Sequence, residues 1–407
     1  MTLEDARQLD AADPLAFARQ RFSLPEGIIY LDGNSLGALP AAAPEALRRT
    51  AEAQWGDDLI ASWTKHDWID WPTRIAAKLG PIVGANANEL LIADSTSVSL
   101  FKLLAAAAGA RPGRGTILTT QGNFPSDLYV AQGLAEMLGL TLRAVPAEQL
   151  VAAVDQDTAA VTLTQVDYRS GAILDMAAIN QAARAAEALT VWDLSHSAGA
   201  VELDLNGSGC GLAVGCGYKY LNGGPGAPAF LYVAERLQDQ LRSPLQGWMG
   251  HAEPFAFDAA YRPVSGITRF LTGTPSILAL AALDAGLDTF DGVAMHDLAA
   301  KSRALSQLFI EEVEARCGGE VRLASPRDPS ARGSHVVFAH PQGYAVMQAL
   351  IACGVIGDFR APDLIRFGFA PLYNRFEEVW RAAGILGEIL ELREWDQPRF
   401  SQRRRVT

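Results

Sequence analysis

Lys219 has the surroundings in this sequence that most favour covalent chemistry. It lies in the run GCGYKYLNGGPG, between two apolar stretches that predict strands and beside a glycine-rich bend. Apolar neighbours disfavour the ammonium form of a lysine, lower its pKa and so leave a nucleophilic amine. A surface lysine next to a tight turn explains the same run equally well. The run is therefore consistent with a nucleophilic lysine and with a surface lysine, and it does not distinguish between them.

Asp193 stands at the end of the apolar run LTVWD, 26 residues before Lys219. A buried carboxylate is costly unless it has a cationic partner. The protonated ring nitrogen of pyridoxal phosphate (PLP) is such a partner, and a carboxylate beside it keeps the ring an electron sink. His196 follows three residues later and could stack on that ring or bond to it. The alternative is a helix cap at Asp193 and a core histidine at His196. It loses weight because a candidate Schiff-base lysine follows.

Ser95, Thr96 and Ser97 precede a predicted helix whose apolar residues recur at helical spacing from Val98. Hydroxyl groups and free backbone N–H groups at a helix start can bind an anion such as a phosphate. Taken by itself, this run favours an ordinary N-cap. Taken with Lys219, it predicts a phosphate site.

Seven runs spread between about residue 28 and residue 380 are more distinctive. They are YLDGNSLGALP, STSVSLF, NFPSDLYVAQG, VWDLSHSAGAVEL, GCGYKYLNGGPG, GWMGH and IRFGFAPLYN. Together they resemble the kynureninase family. DGNSLG and GWMGH carry most of this resemblance, because the other signals are shared by many PLP enzymes.

The resemblance implies a PLP enzyme of fold type I, normally a homodimer, that hydrolyses L-kynurenine to anthranilate and L-alanine. The resemblance implies that Lys219 would carry the cofactor, Asp193 would pair with its ring nitrogen and Tyr218 would lie near the phosphate. Lys219, Asp193 and Tyr218 are the predicted catalytic residues, and in the mechanism expected for this reaction Tyr218 is the candidate proton donor to the β-carbon. Trp248 and Thr274 would reach the site from the partner subunit. The implied cofactor-binding residues are Thr96, Ser97, Phe124, Asp127, Thr164, Asp193, His196, Tyr218, Lys219, Trp248 and Thr274.

For the substrate, the resemblance implies that Arg366 holds the carboxylate and that Asn34 and Trp63 are further contacts. A planar guanidinium suits a carboxylate because it can donate two parallel hydrogen bonds. Arg360 is expected to play a supporting or structural part. Trp63 and Thr274 stand where eukaryotic members tend to carry His and Asn. This difference predicts a preference for kynurenine over its 3-hydroxy derivative.

Other functions stay open at this point. Cysteine desulfurases and aminotransferases share fold type I, and a desulfurase needs a mobile nucleophilic cysteine. Cys353, in MQALIACGVIG, has apolar neighbours and is expected in the core. A third alternative is a non-catalytic binding protein with a PLP fold. Lys219, Asp193 and Arg366 argue against it, because a protein without the chemistry has no need of all three.

The pattern of elements predicts an α/β fold. From about residue 90 to residue 235, apolar strand-like runs alternate with helical patterns, which is typical of a mainly parallel sheet covered on both faces. Such a sheet binds ligands at the carboxyl ends of its strands, and fold type I implies seven strands in a mixed sheet. We expect a large PLP-binding domain over residues 50–285. Residues 1–49 and 286–407 are expected to form a smaller α+β domain. The predicted strand runs are TILTT, AAVTLTQV, LTVWDLS, GLAVGCG and PAFLYVA.

The composition of the chain argues against some classes of binding partner. The chain has 34 basic and 46 acidic residues and a net charge of −12, which argues against nucleic acid and anionic membranes. No secretory leader and no apolar run long enough to span a bilayer is visible, so a cytoplasmic location is expected. The final run FSQRRRVT predicts a solvated tail. Four cysteines without paired spacing predict buried, reduced thiols and no metal site, namely Cys210, Cys216, Cys317 and Cys353.

Overall fold

The computed structural model describes residues 1–403 as an α/β fold with one large and one small sheet. The strands are β1 (Phe22–Ser23), β2 (Ile29–Tyr30), β3 (Leu39–Pro40), β4 (Leu90–Ile92), β5 (Thr116–Thr120), β6 (Thr141–Val145), β7 (Thr158–Thr164), β8 (Leu189–Asp193), β9 (Leu212–Gly215), β10 (Phe230–Val233), β11 (Arg322–Leu323), β12 (His335–Ala339), β13 (Val355–Ile356), β14 (Asp358–Arg360) and β15 (Leu364–Gly368). The α-helices are α1 (Leu3–Ala11), α2 (Ala43–Arg49), α3 (Ser62–Lys65), α4 (Trp71–Val83), α5 (Thr96–Gly109), α6 (Pro125–Leu138), α7 (Leu150–Ala153), α8 (Met176–Ala185), α9 (Glu235–Gln238), α10 (Ile277–Leu287), α11 (Met295–Cys317), α12 (Gly343–Ala352), α13 (Phe376–Glu391) and α14 (Pro398–Ser401).

The large sheet has seven strands in the order β4-β10-β9-β8-β7-β5-β6. Strand β10 runs antiparallel to its neighbours β4 and β9, and the remaining pairs are parallel. The five predicted strand runs are β5, β7, β8, β9 and β10. The predicted α/β class with a mainly parallel, seven-stranded mixed sheet is therefore confirmed.

Burial on both faces explains why the central strands do not alternate between apolar and charged residues. Every residue of β7 and β8 is buried, because helices cover the sheet. Helix α5 packs against β7, β8 and β9. Its first turn directly follows β4, which runs in the same direction as the parallel strands. The start of α5 thus lies at the edge where those strands end.

The small sheet has the order β11-β12-β15-β14, and all its pairs are antiparallel. Helices α11, α12 and α13 contact one another or this sheet, and β2 pairs with β13. The N-terminal segment contributes to two hydrophobic cores, since Leu15 and Phe22 belong to that of the large sheet and Ala6 and Leu31 to that of the small one. The boundaries at residues 50 and 285 stay a prediction.

One of the cysteine predictions is wrong. Cys210, Cys216 and Cys317 are buried as expected, but Cys353 is exposed, and all four are free. Cys353 is the C-cap of α12; Leu350 on that helix and Val355 on β13 are buried, but Ala352 beside it is exposed as well. The turn between the two elements lies at the surface. Apolar neighbours in sequence therefore did not imply a core position.

Within residues 1–403, no helix is long and apolar enough to cross a membrane. The same residues contain no group of three or more His, Cys, Asp or Glu side chains that could hold a metal ion. The solvated tail was predicted from Phe400 onward. Phe400 is instead buried against the core of the small sheet, whereas Gln402 and Arg403 are exposed. Residues 404–407 lie outside the described residues.

Candidate active site

Several of the predicted site residues lie at the carboxyl ends of the parallel strands. Thr164 is the last residue of β7 and Asp193 the last of β8. Their backbones are paired in register, so the two side chains leave the sheet at the same edge. Lys219 follows β9, the next strand along. Parallel strands thus bring together residues that are far apart in sequence.

A cavity of about 100 Å³ lies at this edge. Nine of the predicted cofactor residues line it. Three further lining residues were not predicted from the sequence, namely Ser126, Tyr168 and Ser195. The nine predicted residues are Thr96, Ser97, Phe124, Asp127, Thr164, Asp193, His196, Tyr218 and Lys219.

The N-terminal segment holds the lysine loop in place. The backbone N–H of Gly37 donates to the carbonyl of Tyr218 at 2.8 Å, and that of Asn222 donates to the carbonyl of Lys219 at 2.9 Å. A Cβ atom on Gly37 would lie 2.3 Å from the Lys219 carbonyl oxygen, so only glycine permits this approach. This contact explains the last glycine of the DGNSLG motif. The Lys219 Nζ atom lies 5.8 Å from the ring centroid of Phe124.

Two buried carboxylates face the lysine. Asp127 and Asp193 are 3% and 4% exposed. Burial and the neighbouring charge of Asp193 raise the pKa of Asp127 well above its usual range. Asp193 Oδ1 accepts a hydrogen bond from the backbone N–H of Ser195 at 2.8 Å, so the turn that follows β8 fixes its orientation. A cation between such carboxylates would offset the cost of burying them.

Asn123 is a residue that the sequence reasoning missed. Its side-chain oxygen accepts from the Thr164 hydroxyl at 2.6 Å and from the backbone N–H of Phe124 at 2.8 Å. Its amide group donates to Thr119 Oγ1 at 3.1 Å. Asn123 thereby ties β5 to β7 and positions both Phe124 and Thr164. Its place directly before Phe124 in the NFPSD motif was the available signal.

Hydroxyl groups cluster where α5 and α6 begin. Ser97 Oγ lies 3.1 Å from Ser126 Oγ, and Thr96 lines the same cavity. Ser95 caps α5 by accepting from the backbone N–H of Val98 at 3.4 Å. The capping task therefore falls to Ser95, while Ser97 and Ser126 remain available to an anion.

His196 is buried against a second histidine. Burial and the charge of nearby Lys219 lower the pKa of His196 well below its usual range, so its ring is neutral. The ring meets that of His335 edge to face, with centroids 5.2 Å apart. Its buried Nδ1 atom has no hydrogen-bond partner within residues 1–403. An unpaired buried atom at a cavity wall is a site where a ligand or water can bind.

Arg366 approaches the cavity through Tyr168. Its Nη1 atom donates to the Tyr168 carbonyl at 2.8 Å, and the Tyr168 ring meets Phe124 edge to face at 5.2 Å. Arg366 itself is only 2% exposed and is not among the lining residues. No residue pattern in the sequence pointed to Tyr168.

Four predicted residues lie away from this cavity in the described chain. Trp63 is half-buried and packs edge to face on Trp68, whereas Asn34 is fully buried with an amide that finds no partner in residues 1–403. Trp248 is 38% exposed, and Thr274 lines a separate cavity of about 200 Å³. Trp248 and Thr274 were expected to act on the partner subunit. That expectation stays a prediction.

A larger cavity, of about 430 Å³, lies at the opposite edge of the large sheet. It is lined by Leu189 and Gly211, at the starts of β8 and β9, and by Arg111, Arg184 and Arg236. None of the predicted site residues lines it. Its size therefore does not make it the centre of the predicted chemistry.

The residues of the smaller cavity fit PLP. Hydroxyl groups at a helix start suit its phosphate, a buried carboxylate suits its ring nitrogen, and the Lys219 amine suits its aldehyde. Solved structures share the fold. An apo cysteine desulfurase from Thermococcus onnurineus NA1 superposes with a TM-score of 0.77 at 21% identity, over 92% of this chain and 98% of that chain. A C-DES mutant with glycine covalently linked to its PLP cofactor gives a TM-score of 0.78 at 19% identity, over 91% and 99%. Fold and site together define a PLP enzyme of fold type I.

Sequence comparison narrows this class to one family. Residues 298–386 match the model of the kynureninase C-terminal domain. A kynureninase from Pseudomonas fluorescens is 50% identical over 414 residues, and one from Burkholderia mallei (strain SAVP1) is 48% identical over 415 residues. Each alignment covers 100% of both chains. The chain belongs to the kynureninase family.

Proposed function

We propose that this protein hydrolyses L-kynurenine to anthranilate and L-alanine with PLP as its cofactor. The convergence of Lys219, Asp193 and the hydroxyl-rich start of α5 on one cavity carries this proposal. Membership of the kynureninase family supports the choice of substrate. When bound, PLP supplies an electron sink for the charge that develops on the amino acid.

The cofactor is held by groups whose chemistry matches its parts. Ser97 and Ser126, with the free N–H groups of α5, would bind the phosphate, and Asp193 would keep the ring nitrogen protonated. Phe124 would stack on the ring. Burial favours the protonated form of Asp127, so Asp193 can be the carboxylate that carries the charge.

Two residues move protons. The Lys219 amine would hold the cofactor through its aldehyde and, as a free amine, would remove the α-proton of the substrate. Water adds to the side-chain ketone, the bond between the carbonyl carbon and the β-carbon breaks to release anthranilate, and Tyr218 would donate a proton to the β-carbon. Burial raises the pKa of Tyr218, which keeps the phenol protonated and able to donate. Thr164 and His196 shape the cavity around these groups.

The substrate carboxylate binds to Arg366, whose Nη1 atom already points to the carbonyl of the cavity residue Tyr168. Asn34 supplies a buried amide without a partner in residues 1–403, which suits a polar contact to a ligand. Trp63 contributes an aromatic surface on the side of Trp68.

The active form is a homodimer in which Trp248 and Thr274 complete the partner's site. Large apolar side chains stand exposed on the single chain, including Ile60 at 81% and Phe257 at 85%. Trp248 itself packs on the exposed Phe255. Where such side chains form a contiguous patch, they mark a protein–protein contact. The protein acts in the cytoplasm.

Trp63 and Thr274 give a preference for kynurenine over 3-hydroxykynurenine. The measurement is kcat/KM for both substrates under identical conditions. We expect the higher value for kynurenine, and a clear preference for the hydroxylated substrate would refute this assignment.

The experiment that tests the reaction class offers the PLP-loaded protein three reactions. L-kynurenine is followed by anthranilate fluorescence, L-cysteine by release of sulfide, and an amino acid with a keto acid by transfer of the amino group. We expect anthranilate alone. Sulfide release would favour the desulfurase alternative, transfer of the amino group would favour the aminotransferase, and the absence of all three reactions would favour a binding protein.

A further inference from the structure

Arg366 is bound on one side by a buried carboxylate. Asp358 lies opposite Arg366 in the β14–β15 pair, and the two residues are 1% and 2% exposed. Arg366 Nε donates to Asp358 Oδ1 at 2.8 Å, and Arg366 Nη2 donates to Asp358 Oδ2. This two-point contact fixes the plane of the guanidinium group.

Asp358 also collects two further donors. Ser35, from the DGNSLG motif, donates its hydroxyl to Asp358 Oδ2 at 2.6 Å, and Arg360 Nη2 lies 2.8 Å from the same oxygen. Arg366 Nη2 donates in addition to Ser35 Oγ at 3.1 Å. One carboxylate thus ties the N-terminal segment to two arginines of the small sheet.

Within residues 1–403, these contacts leave one of the five N–H groups of the Arg366 guanidinium without an acceptor. The Nε atom and the Nη2 group are taken by Asp358 and Ser35, while one Nη1 hydrogen goes to the Tyr168 carbonyl. A second Nη1 hydrogen remains on the side of Tyr168, which lines the active-site cavity. Without Asp358, the Arg366 guanidinium would be a buried charge without its ion-pair partner. The Arg366 side chain could then adopt other rotamers.

The charges of the cluster do not cancel. Arg360 and Arg366 carry two positive charges, because arginine stays protonated in proteins. The charge of Arg366 lowers the pKa of Asp358 despite its burial, so Asp358 is ionised. Burial and the charge of Asp358 raise the pKa of the nearby Asp32 to about 8, so Asp32 is mainly protonated at neutral pH. The cluster therefore holds one net positive charge.

We propose that Asp358 is a positioning residue, which fixes Arg366 so that the Arg360–Arg366 cluster offers one net positive charge to the carboxylate of the amino-acid substrate. This inference rests on the proposed function, because it takes the substrate to be an α-amino acid. Asp358 acts through Arg366 and has no contact with the reacting atoms.

The test replaces Asp358 by the isosteric asparagine, D358N, with D396N as control. Asp396 also pairs with an arginine, Arg393, but both side chains are exposed, at 59% and 66%. We measure kcat and KM for L-kynurenine, and the inhibition constant of kynuramine, which is kynurenine without its carboxylate. The dissociation constant of PLP is measured by spectral titration of the apoprotein.

In D358N we expect KM for kynurenine to rise about 10- to 100-fold, since a hydrogen-bonded charge pair loses one partner. The kcat value should fall less than about threefold, because the groups that transfer protons are unchanged. Kynuramine inhibition and PLP affinity should stay as in the wild type. D396N should match the wild type throughout.

A second variant covers the case that D358N does not fold. Arg360 is 37% exposed, so R360Q leaves the packing of the core intact while it removes one positive charge. We expect R360Q to raise KM for kynurenine about tenfold and to leave kynuramine inhibition unchanged.

Unchanged KM in both variants would overturn the inference. Equal losses for kynurenine and kynuramine, or a loss of PLP affinity, would also overturn it, because they would indicate a merely structural role. If the wild type itself fails to cleave kynurenine, the proposed function fails instead.

Discussion

At the scale of single residues, the nearby tyrosines Tyr218 and Tyr220 differ in their surroundings, which suggests a proton donor in the first and a structural phenol in the second. Tyr218 lines the cavity, whereas Tyr220, two residues later, donates its hydroxyl to the carbonyl of Ser334 at 3.0 Å. Both hydroxyls stay protonated because burial raises their pKa values. Of these two tyrosines, Tyr218 is the one that lines the cavity in which the proposed substrate would bind.

We therefore expect Tyr218→Phe to lower kcat about 100- to 1,000-fold, which is the range for losing a general acid. Tyr220→Phe is the matched control and should cost stability while leaving kcat within about threefold. Steady-state kinetics with L-kynurenine measures both. A Tyr218→Phe variant with near-normal kcat would rule out the proton-donor role.

At this scale the sequence predicted the residues that carry unusual chemistry in their own local run. Lys219 follows an apolar run and Asp193 ends one, and the structure buries Asp193 and partly buries Lys219. Asn123 and Tyr168 could not be found in this way, because their roles come from contacts with residues far along the chain, such as Thr164 and Arg366.

At the scale of elements, the serines at the start of α5 have different roles. Ser95 caps the helix, while Ser97 meets Ser126 at the start of α6. The sequence predicted the helix and its hydroxyl-rich start. The family resemblance named Thr96 and Ser97, but not Ser95, as cofactor-binding residues. The contact of Ser97 with Ser126 was not predicted, since it depends on the neighbouring helix.

We expect Ser97→Ala and Ser126→Ala each to weaken PLP binding about tenfold, because each loses a hydrogen bond to a charged phosphate. Ser95→Ala is the control. It should cost about 1 kcal/mol of stability through the lost cap, but change PLP affinity less than about twofold. Titration of the apoprotein with PLP measures all three, and equal affinities across the set would contradict the division of roles.

Five of the seven strands of the large sheet were predicted, since they lie in apolar runs. The other two, β4 and β6, were not, and β6 contains Arg143 and is not buried. The wrong prediction that Cys353 is buried shows what a local sequence pattern cannot predict. Leu350 on α12 and Val355 on β13 are buried on either side of a surface turn. A sequence window averages over such a turn and cannot locate it.

At the scale of the whole molecule, the buried histidines make stability depend on pH. Burial and the charge of Arg366 lower the pKa of His335 to about 3, against an ordinary value of 6.5. Below pH 6.5 the unfolded chain therefore binds a proton that the folded chain does not. The free energy of unfolding falls as the pH drops from 6.5 toward 3.

For His335 alone we expect a loss of about 1.4 kcal/mol per pH unit inside that window. Urea unfolding between pH 7.5 and 5, at fixed protein and PLP concentrations, measures the slope. His335→Gln should make the slope shallower by about one proton, whatever its effect on stability at pH 7.5. An unchanged slope would show that His335 titrates normally.

The proposed dimer makes a further prediction at this scale. Lys219→Ala and Trp248→Ala should each be strongly impaired, the first in its own site and the second in the partner's. Co-expressed in equal amounts, the two variants should recover about a quarter of wild-type activity, because half the dimers are mixed and each has one complete site. Absence of recovery would place Trp248 in its own subunit's site, whereas a Trp248→Ala variant with normal activity would remove Trp248 from the chemistry.

The most direct test of the account is a quantitative product analysis with L-kynurenine as the substrate. The wild-type protein loaded with PLP should release anthranilate and alanine in equal amounts, while Lys219→Ala should bind PLP weakly and release neither. Near-normal turnover by Lys219→Ala, or alanine without anthranilate from the wild type, would contradict the proposed function.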